Sequence, residues 1–374
     1  MKAGGILFIV FVVCFSIKLS WNSQYLRLFQ NSLQKWQVSS DLHFWGDEFI
    51  LDQEKLRTKF NDYEAWLTES HLDEGMVVNR NHEKIINECD SLLFSSLRFV
   101  ALKRTRHSHA ESAWEGLVNS YEKFGRWVRH PKCANQALSR DMLLGVILAI
   151  LHGPIEESKP LFVELMQSID QRGGYIANGP FYISLVTPGI LEMMRRISIV
   201  FSVSSELIPE RFQYGFSTVE WSTLSNPEGY RTHLIALQIW IEIFLKEEMP
   251  YNIDGEQRSF LSSFDDVFTY YRDLHSQRLI WSLQNLVVRN SNNLFFKWLY
   301  LKANSATSPG LRHQIISELL KMTQFPNRRL PNHCDRKADY LWQREESEYK
   351  KGLDCTLRWA GVDFLWMASL LIVN

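Results

Sequence analysis

Two carboxylates in this chain are placed where acid–base chemistry could be built. Asp90 follows Cys89 on a stretch whose apolar set is Ile85, Ile86, Leu92, Leu93, Leu97 and Val100, and burial there would raise its pKa toward that of a proton donor. Asp141 follows Ser139 and Arg140 at the head of an uncharged run, Met142 to Leu151. Arg140 beside it would hold that carboxyl ionised, which suits a base. One protonated and one ionised carboxyl across a reacting bond make a general acid and a general base. Each acid also has an ordinary explanation. Asp141 can be a first-turn acid that complements a helix dipole, and Asp90 a buried carboxylate satisfied by Arg140 or Arg98.

Ligand-holding groups cluster in three further places. Trp127, Arg129 and His130 precede Pro131 on a turn; an indole face can stack on a ring, and Arg or His can hold hydroxyls or a carboxylate. The competing reading of Trp127 is a plug at the end of a helical hairpin. Tyr175, Asn178, Phe181 and Tyr182 lie in a Gly-rich stretch that reads as an aromatic loop, and Asp339, Trp342, Gln343, Arg344 and Asp363 form a late cluster of acids, bases and rings. Trp342 and Arg344 are its binding candidates, unless the cluster is an ion-paired lid. Asp47, Glu48, His152 and His233 are reserves, the histidines reading as satisfied core groups. The chain carries no H-E-x-x-H, G-x-S-x-G, P-loop or G-x-G-x-x-G after a strand, so no metal and no cofactor is expected.

What must position these groups is helical. Ser139 can cap a helix whose residues Leu143, Leu144, Val146, Ile147, Ile150 and Leu151 are apolar around most of the circumference, so that helix belongs inside a larger body. Apolar periodicity predicts helices over 23–37, from 81 or 82 to 103, over 110–127, 142–151, 161–169, 190–201, 230–246, 260–274, 280–288, 294–303 and 311–322. Residues 41–48 and 175–188 read as loops. Strand signals are scarce. The fold class is therefore all-α, with hairpins in an inner and an outer layer: an α/α toroid, or alternatively an α-solenoid, which the lack of a fixed-period repeat disfavours. A single domain over 22–374 is preferred, ended by a short apolar plug over 361–373.

Lys2 and the uncharged run from Ala3 to Ile17 make residues 1–21 a signal peptide or an uncleaved anchor, which implies a periplasmic or extracellular site with membrane contact only at that anchor. Four cysteines follow, Cys89, Cys133, Cys334 and Cys355, and an oxidising compartment permits two disulfides in three pairings. Nearest-neighbour pairing, Cys89 with Cys133 and Cys334 with Cys355, is preferred, free core thiols being the competing reading of the first pair. With 41 basic against 42 acidic residues, nucleic acid is not an expected partner.

The segments Cys89-Asp-Ser-Leu-Leu-Phe-Ser-Ser96, Gly125-Arg-Trp-Val-Arg-His-Pro131, Ser139-Arg-Asp-Met142, Asp339-Tyr-Leu-Trp-Gln-Arg344 and Gly361-Val-Asp-Phe-Leu365 together resemble exported bacterial proteins with a six-hairpin, glycosidase-like α/α toroid. The resemblance spans residue 80 to the end and is one of architecture. It implies a polysaccharide ligand and an acidic pair in a Trp-lined funnel. In a glycoside hydrolase Asp90 and Asp141 would be acid and base, with Arg140 tuning Asp141 and Trp127 and Tyr182 stacking sugar. In a lyase His130 and Arg129 would be base and carboxylate neutraliser. The competing expectation is a non-catalytic envelope protein that holds a glycan or a partner with the same residues.

Overall fold

Three segments of this sequence have almost no polar face, and they form the middle of the molecule. In the computed structural model, which describes residues 46–81, 84–86, 88–179, 182–203, 230–247, 280–288, 293–303, 309–321, 357–358 and 361–372, helix α2 (Ser91–Arg104) buries all of its residues from Leu92 to Leu102 except Phe94, which is half-buried. Helix α4 (Arg140–His152) buries every residue from Met142 to Leu151, and helix α11 (Val362–Ser369) is buried along its whole length. Helices apolar around the full circumference can only be interior. The serines inside α2 satisfy themselves locally: Ser95 Oγ donates to the Ser91 carbonyl at 2.8 Å while accepting from the Val77 amide, and Ser96 Oγ donates to the Leu92 carbonyl.

Around these lie α1 (Gly46–Ser70), α3 (Ala110–Phe124), α5 (Ile155–Gln171), α6 (Pro188–Val200), α7 (Tyr230–Glu247), α8 (280–288), α9 (Leu294–Ala303) and α10 (Pro309–Lys321). The described chain is thus mostly helical. Contacts run from α1 to α10, α9, α7, α4 and α2 in turn, and α11 packs on α2, α1 and α10. Trp366 of α11 also meets Trp240 of α7 edge-on at 4.8 Å and Phe295 of α9 at 6.0 Å. The short apolar tail is therefore a helical plug. Its last turn is tied down by Gln53 and Arg312, which both donate to the Leu371 carbonyl. Lys59 on α1 does the same for α10, its ammonium donating to the carbonyls of Leu319 and Leu320 at 3.2 Å.

Several expected boundaries move. The long helix from residue 81 or 82 is instead a β-hairpin, β3 (Asn79–Asn81) with β4 (Lys84–Ile86), then a 3₁₀ turn, Glu88–Asp90, before α2 begins. Paired β-branched Val77-Val78 and Ile85-Ile86 flanking an Asn-rich bend favour a hairpin over a first helical turn. Residues 175–185 likewise form a hairpin rather than a loop, β5 (Tyr175–Gly179) with β6 (Tyr182–Leu185). Two small ladders complete the strands among the described residues: β1 (Leu72–Asp73) with β2 (Met76–Val77), and β7 (Leu357–Arg358) on β3. Helix α1 covers 25 residues, and its first three, Gly46, Asp47 and Glu48, lie in the expected loop at 41–48. Helix α3 stops at Phe124 rather than Trp127 because Gly125 turns left-handed, φ +60°. Ser139 makes no side-chain cap on α4. The helices expected over 23–37 and 260–274, the export segment and the Cys334–Cys355 pair lie outside the described residues. Among those residues, no helix is long and apolar enough to cross a membrane.

Candidate functional site

Helices α2 and α4 run side by side in the same direction. Gly145, early in α4, lies so close to α2 that a Cβ on it would stand 2.8 Å from Leu93 Cα, and at the far ends His152 feels the charges of Arg104 and Lys103. The starting ends are joined by the Cys89–Cys133 disulfide, Cα atoms 5.6 Å apart, which is the expected pairing. Parallel packing plus this link brings Asp90 and Asp141 to one end of the molecule's central pair.

Asp90 is not a buried acid on an apolar helix. It is the residue before α2, with 42% of its side chain exposed, and Arg129 Nη1 approaches its Oδ1 at 3.4 Å, so its cation is neither Arg140 nor Arg98. Asp141 is half-buried in the first turn of α4 and Arg140 is exposed. Arg129 serves the backbone: its Nε donates to the Ala137 carbonyl at 2.7 Å and its Nη1 to the Cys89 carbonyl at 3.1 Å. It braces the disulfide turn and is not turned out as a ligand hook.

His130 and Trp127 are also drawn inward. His130 is fully buried, its Nδ1 accepting from the Lys132 amide and its Nε2 facing the Asp73 carbonyl at 3.2 Å, and desolvation lowers its pKa. Both ring nitrogens are thereby occupied. Trp127 is 6% exposed and packs on Tyr121 at 5.1 Å, so it plugs the end of α3 and offers no open face to a sugar. Tyr182 stands in β6, its backbone paired with Gly179. Trp342 and Arg344 lie outside the described residues.

A second cluster escaped the sequence reading. Glu64 of α1 is fully buried and accepts from Arg98 Nε at 3.1 Å on both oxygens, from Arg98 Nη2, from Thr68 Oγ1 at 2.9 Å and from His109 Nδ1 at 3.1 Å. Arg98 Nη2 also donates to Thr68 Oγ1 at 3.1 Å. His109, in the turn between α2 and α3, has 40% of its side chain exposed. Its backbone amide donates to His107 Nδ1 at 3.1 Å, and burial lowers the pKa of His107. The signal was present. Arg98 interrupts the apolar run of α2, and Glu64 sits within the buried stripe Phe60, Tyr63 and Leu67; opposite charges on two apolar faces must meet if both are interior.

The reserve histidines are core groups. His152 lies against Trp240 and Phe244, its Nδ1 donating to the Leu148 carbonyl at 3.0 Å, and desolvation pushes it down to about 3. His233, against Phe296 and hydrogen-bonded to Asn293, is pushed down to about 3 for the same reason. Among the described residues no group of three or more His, Cys, Asp or Glu is placed to hold a metal ion. No family model, curated protein or solved structure matches this chain.

Proposed function

We propose that this chain is an extracytoplasmic helical protein that binds a glycan at the Asp90–Asp141 end of the α2–α4 pair and does not hydrolyse it there. The observation that carries the reading is the fate of the groups a hydrolytic funnel would need. Trp127 and His130 are buried and Arg129 is bound to backbone carbonyls, while the carboxylate of Asp90, with Asp141 and Arg140, stays in reach of solvent. Exposed carboxylates and a guanidinium are suited to sugar hydroxyls. The Cys89–Cys133 disulfide supports an oxidising compartment. In this reading the circuit of helices is an α/α toroid whose centre holds α11.

Hydrolysis by Asp90 and Asp141 is the second reading, favoured by their placement at the same end of two parallel helices. Both readings are tested by screening the full chain on immobilised glycans and for reducing-end release, beside Asp90→Asn and Asp141→Asn. Binding that each variant weakens tenfold, without release, supports recognition. Release that both variants lose while melting normally would establish hydrolysis instead. Binding to a protein alone would replace the glycan with that partner.

A further inference from the structure

Seven histidines lie among the described residues, and His109 differs from the rest in how its ring is held. His130 uses both nitrogens, His152 is buried against Trp240 and Phe244 and His233 against Phe296, and His107 spends Nδ1 as an acceptor, which leaves its Nε2 carrying the proton. His71 contacts Ser70 through Nδ1 and lies 2% exposed, and His313 is 13% exposed near Asp52. In His109 the buried Glu64 carboxylate accepts from Nδ1, so in the neutral ring the proton stands there and Nε2 carries the lone pair. The ring is 40% exposed, while the carboxylate that orients it is fully buried and fixed by Arg98 and Thr68. A buried acid that sets the tautomer of an accessible imidazole is the arrangement by which acyl-transferring histidines are oriented.

We propose that Nε2 of His109 is a nucleophilic site for activated acyl esters, with Glu64 as its positioning residue. This concerns a part of the molecule distinct from the Asp90–Asp141 end. In the step inferred, the Nε2 lone pair attacks the ester carbonyl carbon and the aryloxide leaves with the electron pair of the broken C–O bond. Nδ1 keeps its proton against Glu64 throughout. Water then adds to the acyl-imidazolium, the carboxylate product leaves, and the two protons of that water pass to solvent, restoring the neutral ring. His107 is no co-ligand for a shared metal, because its Nδ1 accepts the His109 amide and its Nε2 must therefore be protonated.

The test uses the full chain with p-nitrophenyl acetate, and diethyl pyrocarbonate with peptide mapping to locate the acylated residue. Expected are release of p-nitrophenolate that His109→Gln lowers at least tenfold, and carbethoxylation of His109 at least tenfold faster than of the other six described histidines. Asp90→Asn and Asp141→Asn leave both unchanged, so failure here is separable from failure of the glycan reading. Because Glu64→Gln alone strands Arg98, the positioning role is read on the double substitution Glu64→Gln with Arg98→Gln. It should slow His109 carbethoxylation at least fivefold in a variant that still melts cooperatively, and Glu64→Asp should recover part of that loss. Ester turnover unchanged in His109→Gln overturns the site; a His109 labelling rate unchanged in the folded double variant overturns the role of Glu64.

Discussion

A carboxylate of interest lies beside the α2–α4 pair toward each end, Asp90 at the head of α2 and Glu64 on the neighbouring α1, and the two are held in opposite ways. Asp90, at the start of α2, is 42% exposed with Arg129 at 3.4 Å; Glu64, against the second half of α2, is fully buried with donors from Arg98, Thr68 and His109. A carboxylate in water keeps its own solvation, so its neighbours contribute little. One withdrawn from water must be satisfied by the fold, and removing any donor exposes the full desolvation cost. The start of the pair is thus secured by covalent and backbone links, and the later part by charge. The sharpest way to break the contrast is Arg98→Ala, which leaves Glu64 buried without the guanidinium that meets both of its oxygens. It should cost about 3–5 kcal/mol in chemical denaturation, whereas Arg129→Ala should cost clearly less, its guanidinium serving half-exposed carbonyls.

The disulfide end gives the next effects. Replacing Cys89 and Cys133 with serine opens a link between positions separated by 44 residues and should cost about 2–4 kcal/mol, read as a lower denaturation midpoint that reductant no longer moves. Gly145→Ala tests the packing between the two ends. Its Cβ would stand 2.8 Å from a backbone carbon of α2, so the helices must separate, at a cost of about 1–3 kcal/mol. A smaller loss would mean that the pair is less tightly packed than its geometry requires.

The two ends also differ in how far they could be read in advance. Cys89–Cys133 was legible because the four cysteines Cys89, Cys133, Cys334 and Cys355 allow only three sets of two pairs, and the interior position of α4 because ten residues without a charge admit no surface placement. The roles of Trp127, Arg129 and His130 were not. Residue type says that a side chain can bind, but whether it faces inward depends on a turn whose direction is set by Gly125 and by Arg129 reaching to Ala137 and Cys89. The hairpin at 79–86 was missed because Ile85, Ile86, Leu92 and Leu93 also fit a helical stripe. Glu64 and Arg98 were hidden for a different reason. They are 34 positions apart on separate helices, and a charge on an apolar stripe identifies its partner only once the helices are known to touch.

Protonation offers a smaller contrast. Burial holds His152, at the far end of the pair, and His233 at about 3 in the folded chain, against about 6.5 when unfolded. Their folded values lie below the unfolded ones, so between those limits the unfolded chain binds more protons. Stability is then full above about pH 6.5 and falls as pH drops toward 3, by about 1.4 kcal/mol per pH unit for each ring once the unfolded form is protonated. His152→Phe should remove one of these two contributions, flattening the decline in denaturation midpoint between pH 6 and pH 4. A decline of the same slope in the variant would assign the acid sensitivity to other groups.

The smallest stability effect belongs to the acids that the sequence put first. Asp90→Asn keeps the size of a side chain that is 42% exposed and can still accept from Arg129, so the expected change is within about 0.5 kcal/mol. Asp141→Asn gives up a charge at the first turn of α4 and should lose about 0.3–1 kcal/mol, less in high salt, through the helix dipole. Equal melting curves for the wild type and Asp90→Asn, measured at low and at high salt, would mean that nothing in the fold needs this carboxylate to be charged. Any loss of glycan binding in that variant would then report on the ligand alone. A drop beyond about 2 kcal/mol would place Asp90 with Glu64, among the acids on which the helical core depends, and the contrast between the two ends would disappear.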